Sequence, residues 1–147
     1  MPDLDLTIQN EQDCTIDLQG TDELAQLVWS TEAKKPGEIT IILVDDEQLS
    51  KINIEFLTKD YKTDVIAFPL SDGGDEIFEG EIYISVARVI ENAGIYKVAP
   101  SHELRRVIIH ALLHFLGYSD KEIPLKQKMT NRENFYLDFL FNNINKI

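Results

Sequence analysis

The stretch Ser101–Leu116 constrains this chain more than any other. Val107, Ile108, Ile109, Leu112, Leu113, Phe115 and Leu116 put apolar side chains on nearly every side of a helix. Such a helix is stable only when neighbours enclose it. Two of the three histidines, His110 and His114, interrupt this surface four residues apart. Positions i and i+4 lie one above the other on a helix. A buried imidazole needs partners for its ring nitrogens. One shared metal ion is such a partner; backbone groups or carboxylates are the alternative. Gly117 predicts the helix end and lets the chain turn back, so that Asp120 reaches the same ion. Two histidines and one carboxylate match catalytic zinc, which keeps a further position for water or substrate. Ala111 stands where a HExxH protease needs its glutamate base, so this is not a zincin site.

The remaining patterns predict the elements around that helix. Leu4–Ile8 and Cys14–Leu18 read as short strands, and Glu38–Val44 as a β-branched, apolar one. Thr21 is the expected N-cap of a helix over Asp22–Ala33, ended by Lys34, Lys35, Pro36 and Gly37. Asp45 caps a helix through Phe56. Leu57–Lys62 is an expected loop, Thr63–Phe68 a strand stopped by Pro69, and Ser71–Glu76 a turn. Gly80–Ser85 is an expected strand, and Val86–Ala93 a helix ended by Gly94. Pro124 starts a last helix to roughly Phe141. The predicted class is α+β over one domain, residues 1–147. It is a mixed α/β sandwich with a mostly parallel sheet of about four strands flanked by helices, and a metal site on a central buried helix.

Composition narrows the setting. Apolar residues make up 44% and charged residues 27% of 147, enough for a core without disulfides. Cys14 is the only cysteine, which excludes an intrachain disulfide and a CxxC zinc site and fits a reducing compartment. The acidic start MPDLDLTIQNEQD lacks the basic and apolar regions of a signal peptide. No apolar run approaches the ~20 residues of a membrane helix. The expected location is the cytoplasm. The net charge of −12 argues against generic nucleic-acid binding, which needs local positive charge. A metal ion, or the grouping of Arg88, Lys97, Arg105 and Arg106, answers that objection.

The segment HALLHFLGYSD, His110 to Asp120, resembles the YbeY family motif His-Gly-x-Leu-His-Leu-x-Gly-Tyr-Asp-His. Glu103, Arg106 and Val107 fit its Glu-x-x-Arg-Val lead. Gly80–Ser85 is similar to its Gly-Asp-Ile-x-Ile-Ser strand, and Thr63–Pro69 to its Thr-Asp-Val-Leu-Ser-Phe-Pro strand. Leu49 to Asn53, Lys59 and Asp60 echo the preceding helix and loop. The resemblance implies a compact α/β fold and one Zn2+ ion, another divalent transition metal being the alternative. It also implies cleavage of single-stranded RNA, a role in rRNA maturation at the 16S 3′ end and in ribosome quality control, and the ribosome or its small subunit as partner. Three departures bear on this. Asp120 replaces the third histidine, an acceptable zinc ligand that favours a harder metal. Ala111 replaces glycine, harmlessly in a helix. Leu57 takes the place of an arginine associated with RNA cleavage and cannot stabilise developing charge. Either Arg106, Lys59 or Lys62 takes over, Arg106 and Lys59 being the candidate catalytic cations, or the activity is weak or different.

Other residues carry two readings each. Asp64 either orients a histidine or is a polar edge residue. Ser85 either lines a cleft or caps the next helix. Arg106 either faces the site beside His110 or pairs with Glu103. His102 reads as exposed, Trp29 as core, and the aromatics of the last helix as packing on the sheet. The leading expectation is a metallo-endoribonuclease. The competing ones are a non-catalytic ribosome-associated factor with a structural metal, and a metallohydrolase acting on an ester or amide.

Overall fold

Alternating side chains divide the strands between two faces, and the faces decide where each helix goes. The computed structural model describes residues 2–11, 15–57, 63–71, 74 and 76–144, with the side chains of 56, 57 and 140–144 outside that set. Its strands are β1 (Leu4–Asn10), β2 (Gly37–Val44), β3 (Val65–Pro69) and β4 (Phe78–Ser85). Its helices are α1 (Thr21–Glu32), α2 (Asp46–Leu57), α3 (Val86–Tyr96), α4 (Pro100–Phe115) and α5 (Ile123–Ile144). The described strands form one sheet in the order β1-β2-β4-β3. β1 pairs parallel with β2, and β2 with β4, in register from Gly37 opposite Phe78 to Val44 opposite Ser85. β3 runs antiparallel to β4, from Val65 opposite Ile84 to Pro69 opposite Gly80. The mostly parallel, helix-flanked sheet expected from the sequence is the observed one.

On one face, Leu4, Ile39, Ile41, Leu43, Ile82 and Ile84 join Leu24, Val28 and Trp29 of α1 and the apolar residues of α4 in the main core. On the other, Ile42, Val44 and Ile66 meet Leu49 of α2 in a smaller cluster. α4 lies at the centre, packed against α1, α3, α5 and β3. Leu104, Val107, Ile108, Ile109, Leu112 and Leu113 are all buried there, as a helix apolar on all sides requires. Local chemistry fixes the other elements. Asp45 Oδ1 accepts from the Gln48 amide at 2.7 Å while Gln48 Oε1 accepts from the Asp45 amide at 3.2 Å, a reciprocal cap that starts α2. Ser85 Oγ accepts from the Arg88 amide at 3.3 Å, so Ser85 caps α3.

Four expectations change. Residues 15–18 form no strand, and Cys14 lies outside the described residues. Asp17 Oδ1 accepts from the Gln19 amide at 3.0 Å, a local turn that competes with strand pairing. Thr21 is the first residue of α1 and not its cap; Gly20, in the left-handed region, takes that place. α3 runs through Gly94 to Tyr96 and is capped by Lys97, which adopts φ 58° while the Val98 amide closes on the Ala93 carbonyl at 3.0 Å. α5 packs chiefly on α4 and α1 and not on the sheet. The expected loop through Lys62 and much of the Ser71–Glu76 turn lie outside the described residues.

One polar cluster ties these helices together. Glu32, at the end of α1, accepts from Tyr118 Oη at 2.5 Å, Tyr136 Oη at 2.7 Å and Arg132 Nη2 at 2.7 Å. Burial pushes the Glu32 carboxyl up, but these hydrogen bonds and the Arg132 charge outweigh it and hold its pKa below the ordinary 4.5. Burial and then the bond to Glu32 push the Tyr136 phenol up to about 12. The lowered carboxyl contributes stability that is complete above its ordinary value and lost as pH falls through its native one. The raised phenol contributes stability that is complete below its ordinary 10.0 and lost as pH rises through about 12. Glu32→Gln is therefore expected to lower the urea midpoint at neutral pH and to flatten its decline between about pH 5 and pH 3. A variant that keeps the wild-type acid slope contradicts this account of the cluster.

Candidate metal centre

The last two turns of α4 carry the histidines into the lining of a cleft. Gly117 follows in the left-handed region at φ 99°. Its amide donates to the His114 carbonyl at 3.1 Å, and the Tyr118 amide donates to the Leu113 carbonyl at 3.0 Å. This paired closure ends the helix and reverses the chain. Tyr118 then anchors on Glu32, and Asp120 comes back over the histidines. Asp120 Oδ2 lies 3.6 Å from His110 Nε2 and 3.5 Å from His114 Nε2. The imidazole rings meet edge to face with centroids 4.7 Å apart. One ligand atom from each of the three residues falls within 4.8 Å of the others, so the group could hold a metal ion. Ligand atoms about 2.0–2.2 Å from a tetrahedral ion stand roughly 3.3–3.5 Å apart, so the contacts to Asp120 suit one.

A second observation concerns which nitrogen is available. His110 Nδ1 lies 3.1 Å from Glu133 Oε2. A carboxylate oxygen only accepts, so this contact is a hydrogen bond when Nδ1 carries the proton, and the neutral ring of that form turns its Nε2 lone pair toward Asp120. That is the tautomer a metal ligand needs, and a carboxylate behind the histidine is its usual support. The donor set therefore fits a divalent transition metal of the zinc type.

The cleft beside these residues has a volume of about 570 Å³. β3 supplies Val65, Ile66 and Ala67, α2 supplies Asn53, and Thr63, Asp64, Phe115 and Lys121 complete much of the rim. Asp64 accepts from Asn92 Nδ2 at 3.5 Å. The carboxylate behind His110 is Glu133 and not Asp64. Sequence reasoning missed Glu133 because it lies in the next helix; its isolated charge beside Arg132 on a buried face is a signal visible only once α5 is placed.

The arginines of the expected basic grouping each bind a partner within the chain. Arg88 Nε is 3.0 Å from Asp46 Oδ1. Arg105 Nη2 donates to the Gln19 carbonyl at 2.6 Å. Arg106 donates through Nε at 2.8 Å and Nη2 at 2.7 Å to Glu103, which is 1% exposed, and through Nη1 at 3.3 Å to Glu133. The Glu103 hydrogen bonds outweigh burial and raise the Arg106 pKa above its ordinary value. The pairing with Glu103 weighed in the sequence is thus present. Lys59, Lys62 and the Leu57 side chain lie outside the described residues.

A Cβ at Gly117 would meet nothing within 4 Å, so Gly117→Ala tests the backbone reversal alone. It is expected to cost about 1–2 kcal/mol in urea unfolding, the penalty of a left-handed non-glycine residue. An unchanged midpoint would contradict the strained reversal.

The family model described as Endoribonuclease YbeY matches residues 7–140. The Endoribonuclease YbeY of Chlorobaculum parvum is 41% identical over 133 residues, covering 90% of this chain and 93% of that protein. That of Flavobacterium johnsoniae is 42% identical over 113 residues, covering 77% and 79%. A solution structure of a Thermotoga maritima protein shares the fold, with a TM-score of 0.68 and 26% identity over 96% of this chain and 92% of that one. Matched by its model from residue 7 to residue 140, this chain belongs to the Endoribonuclease YbeY family.

Proposed function

We propose that the protein is a metal-dependent endoribonuclease that cleaves single-stranded RNA, acting as one domain over residues 1–147 in cytoplasmic rRNA maturation. The observation that carries the reading is the convergence of His110 Nε2, His114 Nε2 and Asp120 Oδ2 at the cleft mouth. Membership of a family named for endoribonuclease activity makes RNA the substrate class. His110, His114 and Asp120 hold the ion, for which Zn2+ is the first choice. When bound, the ion polarises a phosphoryl oxygen and lowers the pKa of water.

The chain's own residues then do the rest. Glu133 keeps the His110 proton on Nδ1. Val65, Ala67, Pro69 and Phe115 give the cleft apolar walls against which a base can lie, a contact open to every base. Lys121, beside Asp120, places a positive charge on the rim where a phosphate of the strand passes. No described helix is long and apolar enough to cross a membrane. The role at the 16S rRNA 3′ end, and the ribosome or its small subunit as partner, follow from the motif resemblance as part of the same proposal.

The test is cleavage of a single-stranded RNA and of its duplex by metal-stripped protein with and without added zinc. Zinc-dependent cleavage of the single strand alone is expected, and His114→Ala should lose more than about 100-fold in rate, a ligand mattering more than its outer partners. Equal cleavage by wild type and variant would remove the metal centre from the reaction. Zinc uptake without cleavage would favour the structural-metal reading.

A further inference from the structure

Glu133 supports His110, and Glu133 is itself held by a side chain that does not line the cleft. Arg106 Nη1 meets Glu133 Oε1 at 3.3 Å, while Glu133 Oε2 faces His110 Nδ1 at 3.1 Å. One carboxylate oxygen thus rests on the guanidinium and the other on the imidazole. The remaining edge of the guanidinium, Nε and Nη2, is fixed on Glu103 by two hydrogen bonds. Glu103 and Glu133 side chains are 1% and 6% exposed, so water does not replace these contacts.

This geometry matters because a carboxylate held at one oxygen alone can turn about its terminal bond. If it turns, His110 loses the acceptor that selects the Nδ1–H tautomer, and the Nε2–H form then turns a proton, not a lone pair, toward Asp120. A rigid, planar fork can reach Glu103 and Glu133 together; a lysine ammonium offers no such plane. We propose that Arg106 is a positioning residue: by clamping Glu133 between itself and His110, it fixes the His110 tautomer that leaves Nε2 open to the metal. The proposal takes its purpose from the metal-centre reading above, but the clamp is a property of the metal-free chain.

The experiment therefore starts on metal-free protein, reading the tautomer of His110 from long-range proton–nitrogen NMR of the imidazole, followed by zinc titration against a chelator. Wild type is expected to show His110 protonated at Nδ1. Arg106→Met combined with Glu103→Gln, which avoids leaving Glu103 charged and unpaired, is expected to show a mixture with the Nε2–H form. Its zinc affinity should fall about 10–100-fold. Arg106→Lys, which keeps the charge and so the fold, should shift the tautomer in the same direction to a smaller extent. Because the effect runs through Glu133, Arg106→Met should cost little further zinc affinity in a Glu133→Gln background. A wild-type tautomer in both folded Arg106 variants overturns the proposal, as does an equal loss of affinity with and without Glu133. Should wild type take up no zinc, the metal-centre reading fails while the tautomer still decides the role of Arg106.

Discussion

An enclosed apolar helix leaves its buried polar atoms no water to turn to; α4 carries Glu103 fully into that situation and Arg106 and His110 part of the way, at 1%, 30% and 23% side-chain exposure. Its neighbours answer the demand from one side: Glu133 on α5 accepts from both Arg106 and His110. The resulting row of partners runs from Glu103 through Arg106 and Glu133 to His110 and ends at Asp120. Stability and site geometry therefore share the same contacts. A substitution anywhere along the row acts on both, which is why a folding measurement has to accompany every functional one.

The −12 charge looks hostile to RNA until the cations are placed. Arg88, Arg106 and Arg132 each pair with a carboxylate, of Asp46, Glu103 and Glu32 respectively. Their work is internal: Arg88 ties α3 to α2, Arg132 ties α5 to α1, and Arg106 neutralises Glu103, which is buried on its own helix. On the cleft rim among the described residues, Lys121 is the basic side chain. An ion at the histidines is then the strongest positive charge the cleft can present to a phosphate. In an acidic protein such an arrangement would confine anion attraction to the cleft, in place of a broad basic surface.

Much of this was legible in the sequence because it is local. The spacing of His110 and His114, the apolar surround of α4, the Asp45 cap and the β-branched run of β2 all announce themselves within a few residues. Gly117 announced the reversal, and the short spacing after it pointed to Asp120 as the residue delivered by it. The misreadings were also local signals, overruled by context. Thr21 has the chemistry of a cap, yet Gly20 accepts the left-handed turn that Thr21 cannot, and Thr21 Oγ1 is left buried without a partner. Gly94 has the chemistry of a stop, yet α3 needs two more residues before Val98 can close on Ala93. Glu133 was illegible for a different reason. It is separated from His110 by 23 residues, and no periodicity within α5 says that one of its many charges faces a histidine on another helix.

The central claim is that His110, His114 and Asp120 hold one ion. A crystal grown with zinc and measured on both sides of the zinc absorption edge tests it most directly. The account predicts a single strong anomalous peak at about 2.0–2.2 Å from His110 Nε2, His114 Nε2 and an Asp120 oxygen. No peak between those atoms, or one that persists in place when Asp120 is replaced by alanine, would contradict it.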